Sequence, residues 1–259
     1  MKYWPLWILS GIFVLSMLAP LVAPFDPMQT NVDKVMQPPS TEHLLGTDTL
    51  GRDVWSRVLY GGQLTLTITS LSTALAVVSG TCLGLLAGLS GKTGNYWFTI
   101  LMNALLAFPG LLLALVIVTI LGTGSGSIIL ATGLAQTVLF ARITRAAVLE
   151  VRSSLYIESA RMIGSTTRRI VVLYILPNIL STLATYKAVT FSYCLLNSAA
   201  LSFLGLGGEP GIPDWGVMLA EGRMVFRTAP WIAFAPGIAI TLVVWSINAW
   251  SSRIGVLNT

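Results

Sequence analysis

Side chains able to do chemistry are scarce in this chain, which has one histidine, two cysteines, ten acids and fifteen Lys or Arg in 259 residues. His43 has no second imidazole or cysteine near it and only scattered carboxylates, a poor set for a transition metal, so packing within its loop is the expected role. Cys82 and Cys194 have neither a disulfide framework nor a metal-ligand spacing and read as packing residues. No Gly-x-Ser-x-Gly, no His-Glu-x-x-His and no acid pair within an apolar run is present, which removes the usual intramembrane enzymes. Gly91-Lys92-Thr93 ends like a phosphate-binding loop, but the full pattern needs glycine where Leu86 stands. The chain is expected to hold no metal, no cofactor and no nucleotide of its own.

Three polar clusters remain. Asp48 with Arg52, and Asp53 with Arg57, are four residues apart, opposite Leu50, Val54 and Val58. On one helix near 48–60 they would make two ion pairs, each contributing about 0.2–0.5 kcal/mol, above an apolar stripe resting at a membrane interface or on another subunit. In 148–178, Leu155, Ser159, Met162 and Ile163 fall at helical spacing, and Gly164 permits a turn that residues with a Cβ resist. A second short helix over 165–175 is expected to end before Pro177. Two short helices joined at a glycine make a compact knob, and Arg161, Arg168 and Arg169 around it suit a groove on a soluble partner. A basic helix pair lying on anionic lipid is the alternative. The third cluster is Lys187, Ser192, Tyr193, Asn197 and Ser198, in one apolar run. Lys187 either lines a translocation path or snorkels to the membrane edge or a neighbouring subunit, and the run itself is the expected pathway helix.

The elements that position these groups follow from composition. Hydrophobic residues make up 54% of the chain and charged residues 10%, against about 25% charged in a soluble domain, so the surplus apolar surface must face lipid. Six runs approach the ~20 residues needed to cross a bilayer: 5–24, 64–88, 97–121, 128–147, 179–204 and 231–250. The first exceeds the apolar core of a cleaved leader and reads as a span. The fold class is all-α, a polytopic membrane protein of six transmembrane helices: a first helix over 1–24, an extracytoplasmic segment over 25–63, and a five-helix core over 64–259. With an even number of spans both termini share a side. That side carries Lys2, Lys92, Arg142, Arg145, Arg152, Arg161, Arg168, Arg169 and Arg253 with only Glu150 and Glu158. The opposite side has five bases, Lys34, Arg52, Arg57, Arg223 and Arg227, against eight acids, Glu209, Asp214 and Glu221 among them. Nine bases against five put both termini and 148–178 in the cytoplasm. The basic balance therefore reflects topology and not nucleic-acid binding. No paired broken helices or intramembrane carboxylates of an ion-coupled carrier are evident.

Glu158-Ser-Ala160, three residues, Gly164, nine residues and Tyr174-Ile-Leu176-Pro177 resemble the EAA loop of permease subunits in binding-protein-dependent ABC importers. Ser159 replaces an alanine and Tyr174 an isoleucine or histidine of that pattern. Leu45-Gly-Thr-Asp48-Thr-Leu-Gly-Arg52-Asp53 is similar to a signature of the second permease subunit in dipeptide, oligopeptide and nickel importers. Ala107-Phe-Pro109, Leu201-Ser-Phe-Leu-Gly-Leu-Gly207 and Trp215-Gly-Val-Met-Leu-Ala-Glu-Gly-Arg223 extend the likeness over nearly the whole chain. The resemblance implies the transmembrane domain of a type I ABC importer in a bacterial inner membrane, working by alternating access. It implies a heterodimer with a homologous permease, one or two ATPase subunits holding ATP and magnesium, and an extracytoplasmic binding protein. It makes 148–178 the loop that docks on the ATPase. Peptides are the implied cargo, with nickel or another metal chelate as the alternative.

Overall fold

The computed structural model describes residues 4–207 and 211–257, so Lys2 and Glu209 of the charge count, like the side chain of Arg253, lie outside what is described. Among the described residues all regular structure is helical: α1 Trp4–Met17, α2 Ala19–Val22, α3 Val54–Leu89, α4 Lys92–Leu106, α5 Gly110–Leu121, α6 Ser125–Arg152, α7 Leu155–Met162, α8 Thr167–Ile170, α9 Leu176–Leu201, α10 Trp215–Met224 and α11 Trp231–Leu257. Four stretches are long and apolar enough to cross a membrane by themselves: α3, α6, the continuous helical run Thr167–Leu206 and α11. α4 and α5 reach that length only together, and α1 is a shorter apolar helix. The six apolar runs thus each correspond to a helix or helix pair.

α3 and α6 form the backbone of the bundle because α3 presents Gly80, Gly84 and Gly88 on one face. A Cβ at Gly84 would lie 2.5 Å from Cβ of Thr144, and one at Gly88 would lie 2.6 Å from Cγ1 of Val148. Without a hydrophobic driving force inside lipid, such close backbone approach and interhelical hydroxyl bonds hold helices together. Thr132 donates to Ser72 Oγ at 2.8 Å, and Ser79 and Thr137 share a hydrogen bond of 2.7 Å. α9 and α11 pack against α3 through Phe191, Leu195, Val243 and Ile247, and α1 packs against both α3 and α11.

Three sequence expectations give way. The third run is not one straight helix: α4 and α5 meet at 86° across Ala107–Pro109, as a broken span or a re-entrant loop. Pro109 has no N–H for a continuing helix, and the chain restarts with Pro109 as the cap of α5. The knob's second helix does not end before Pro177. A π-helical stretch, Val171–Ile175, carries it into α9, with Leu176 N–H bonded to Val171 O, one residue further back than in an α-helix. The wider turn admits the proline, and the Asn178 side chain donates to Tyr174 O at 2.6 Å. The separate interfacial helix over 48–60 is also absent. Asp48–Arg52 is a tight turn in which the Asp48 carboxylate accepts from Leu50 N at 2.8 Å and Arg52 N at 3.0 Å. Asp53 caps α3 by accepting from Ser56 N at 2.8 Å. The helical segment from Val54 is the first part of the 36-residue α3.

Candidate functional site

At the basic end of the bundle α7 and α8 form the glycine-hinged knob. Gly164 lies at φ +83°, its N–H bonds Arg161 O at 3.0 Å, and Ser165 N–H reaches back to Ala160 O at 3.0 Å. That pair of bonds is a Schellman closure, which requires the left-handed backbone glycine adopts without strain. Thr166 then caps α8 through its Oγ1. Ile157, Ala160 and Ile170 are buried with Val148, Phe140, Ile175 and Ile179, so the knob is seated on the ends of α6 and α9. Its other side presents Leu155 and Ile163, 80% and 81% exposed, beside Met162. Glu158, Ser159, Arg161, Arg168 and Arg169 are exposed around this tip. Ala160 faces inward, Leu176 is half-buried, and exposed Pro177 sits beyond the π-turn in the first turn of α9. Arg152 ties the same end to α3 by donating to Gly88 O at 2.8 Å.

The opposite, acidic end holds a buried charge cluster. Arg52 Nε donates to Asp48 at 2.7 Å, as its spacing allows, but Asp53 and Arg57 do not pair. Arg57, with no exposed side-chain surface, reaches Asp48 and also Glu221 of α10 at 2.6 Å. Asp53 instead meets His43 Nδ1 at 2.9 Å, with the Phe25 ring 4.7 Å from the imidazole. Capping uses one oxygen of Asp53 and His43 the other, while Arg57 is turned toward Asp48 and Glu221. Trp231 Nε1 donates to Thr47 O at 3.1 Å and Trp215 Nε1 to Val58 O at 2.9 Å. These contacts clamp the loop before α3 to α10 and the start of α11. Asp214 caps α10 by accepting from Gly216 N at 2.7 Å and Val217 N at 3.2 Å, and burial pushes its carboxyl above the ordinary value despite these bonds.

Of the expected pathway residues, Ser192 and Ser198 face helices instead of open space. Asn248 of α11 donates to Ser192 at 3.1 Å, and buried Ser198 turns back to Leu195 O at 3.0 Å. Lys187 is exposed. Tyr193 and Asn197, one turn apart, line a cavity beside the α4–α5 break, across from Gln136 of α6. Sequence reasoning missed Gln136 and Glu221. The signal for Gln136 was present, since it is the sole Asn or Gln in the fourth apolar run.

A knob rooted in two membrane helices and a polar cavity among them are what a transporter subunit needs, and comparison with known proteins decides the matter. Residues 80–257 match the family model for the binding-protein-dependent transport system inner membrane component. The chain belongs to that family. This inner-membrane transport component is 39% identical over 239 residues to the di/tripeptide transport system permease protein DppC of Pseudomonas aeruginosa, covering 90% of this chain and 79% of that one. It is 36% identical to the glutathione transport system permease protein GsiD of Pectobacterium atrosepticum, covering 92% and 81%. An inward-facing MetNI methionine ABC transporter chain has a TM-score of 0.66 at 20% identity, covering 78% of this chain and 96% of that one, a likeness of fold. The permease is thus a multi-pass inner-membrane transport component and not an enzyme.

Proposed function

We propose that this permease is one half of a heterodimeric pore through which an ATP-driven importer moves di- and oligopeptides, a cargo class supported by relatives named as di/tripeptide, dipeptide and glutathione transport permeases. The observation that carries the coupling is the seating of the knob. Its base is buried against α6 and α9, and its tip exposes Leu155, Met162 and Ile163 among arginines, a shape that fits a groove on an ATPase subunit. The helical run from Thr167 through Leu201 is continuous, so a displacement of the knob on ATP binding is carried into α9 and to Tyr193 and Asn197. Glu158, Gly164, Arg161, Arg168 and Arg169 are the docking and coupling residues. ATP and magnesium belong to one or two partner ATPase subunits, because this sequence lacks a phosphate-binding loop.

The basic asymmetry puts the knob and both termini in the cytoplasm. The clamped 46–57 and 214–231 surface then faces outward, where a binding protein delivers cargo. The test is purification of the tagged permease from membranes, followed by reconstitution with the subunits it retains and the binding protein. ATPase subunits are expected to remain bound and labelled dipeptide to enter only with ATP. Absence of ATPase subunits, or uptake indifferent to ATP, would overturn the reading.

A further inference from the structure

The cavity beside the α4–α5 break has a volume of about 360 Å³ and lies between α5, α6 and α9. That is within the range of small-molecule sites, about 300–1,000 Å³. Gln136 lies eleven residues into α6, about 16 Å from its start at a rise of about 1.5 Å per residue, near the middle of a bilayer core about 30 Å thick. It is 7% exposed, and its Oε1 has no hydrogen-bond partner. Folding offers no reason for that choice, because a buried carboxamide oxygen left unpaired is penalised and a leucine there would not be. Neither Tyr193 nor Asn197 makes a side-chain hydrogen bond among the described residues. Gly110, at the start of α5, lies close enough that a Cβ there would stand 3.9 Å from Gln136 Nε2. The first N–H groups of any helix lack intrahelical acceptors, so this corner also offers backbone donors.

We infer that this cavity is a cargo subsite that takes the peptide backbone itself. A peptide unit presents one donor and one acceptor, and each carboxamide presents the complementary pair. Gln136 Oε1 accepts a cargo N–H, and Asn197 and the start of α5 meet the neighbouring carbonyl. Among the described residues lining the cavity there is no acid, no base, no histidine and no cysteine. A transition metal finds no imidazole or thiolate there and a charged group no counter-charge, whereas neutral amides find partners that hold cargo without trapping it. Recognition through the main chain also suits cargo of varied side chains. The inference rests on the peptide-importer reading and specifies its binding chemistry. Because α9 is continuous with the knob, displacement of the knob changes the distance between Asn197 and Gln136 and so opens or closes the subsite.

The test uses the complete importer with its binding protein in proteoliposomes and radiolabelled Ala-Ala-Ala. Gln136→Leu and Asn197→Leu are each expected to slow uptake roughly tenfold, the scale of one lost hydrogen bond, while the melting temperature of the purified complex stays unchanged or, for Gln136→Leu, rises. If Gln136→Leu fails to assemble, the half-buried Asn197 position decides by the same two readouts. Loss of uptake accompanied by a matching fall in melting temperature would make these residues structural and overturn the inference. Unchanged uptake in both variants, with wild type importing, would remove the subsite and leave the importer reading standing. Wild type that imports no Ala-Ala-Ala with ATP would overturn the importer reading and the subsite with it. A tripeptide with a central benzoylphenylalanine, irradiated in the wild-type complex, is expected to mark residues 105–113 or 193–197. Adducts confined to residues outside this cavity would count against the proposal.

Discussion

Arg57 shows how far a residue's partners can depart from its spacing. The Asp53–Arg57 spacing suits an exposed helical pair, whereas the folded chain buries Arg57 between Asp48 and Glu221. Removing one member of a buried pair costs about 3–5 kcal/mol because the other charge is stranded. Arg57→Ala is therefore expected to lower the melting temperature of the purified complex sharply. Glu221→Gln is expected to lower it less, since Glu221 is partly exposed and Asp48 remains. Gly164 is constrained differently. Nothing lies within 4 Å of a Cβ built there, so space is ample and only the positive φ resists substitution. Gly164→Asn, which tolerates that conformation, is expected to keep peptide uptake and cargo-stimulated ATP hydrolysis. Gly164→Val, and Glu158→Lys with a base at the positive end of α7, are expected to lose both together while cargo is still delivered at the outer face. Asp214 titrates with the opposite sign to a salt-bridged acid. Its folded pKa is raised above 3.8 by burial, so its contribution to stability is present at low pH and lost as pH rises through the folded value. Asp214→Asn keeps the capping oxygen, so melts from pH 4 to 8 should show it at least as stable as wild type at pH 7, with the difference closing toward pH 4. Asp214→Ala loses the cap, a cost of about 1 kcal/mol, and with it the pH dependence that Asp214 contributes.

At the scale of elements, α3 and α6 were legible as apolar runs, but the reason they pair was not. Gly80, Gly84 and Gly88 recur every fourth residue, and their role appears only when Thr144 and Val148 are seen against them. Gly84→Leu requires a Cβ where Thr144 Cβ and Ala141 O lie 2.5 and 2.6 Å away, and overpacking of this kind costs about 1–3 kcal/mol or more. The expected outcome is loss of the monodisperse purified complex on size exclusion, with Gly91→Leu as a control at the exposed cap of α4, where nothing lies within 4 Å of an added Cβ. Prolines divided the other elements in two ways. Pro109 stops α4 and turns the chain by 86°, while Pro177 is absorbed by a π-turn and the helix continues. Sequence treats both as helix breakers. Which one breaks depends on neighbours, since Ile170, Ile175 and Ile179 are held in one buried cluster that keeps the axis running through Pro177.

For the whole molecule, the charge asymmetry makes a topology that labelling can check. In a background with Cys82 and Cys194 replaced, cysteines at Thr93 and Val32, both exposed, are expected to react from opposite faces of the membrane. Reaction from one face would refute the arrangement. Composition, apolar run length and the distribution of Lys and Arg sufficed by themselves for the all-α membrane class, the approximate spans and an expected orientation. Each depends on transfer from water to lipid, which sums over residues whatever they touch. The helical spacing of Leu155, Ser159, Met162 and Ile163 and the glycine at 164 likewise singled out the knob, because turn geometry and helical spacing are local. Only the tertiary structure decided that His43 meets Asp53, that Arg57 meets Glu221 across 164 positions of sequence, and that Ser192 faces a helix while Tyr193 faces a cavity. Those outcomes turn on which side chains arrive within hydrogen-bonding distance once distant helices have packed, and that proximity is set by the close fit of glycine faces and bent helices and not by spacing along the chain.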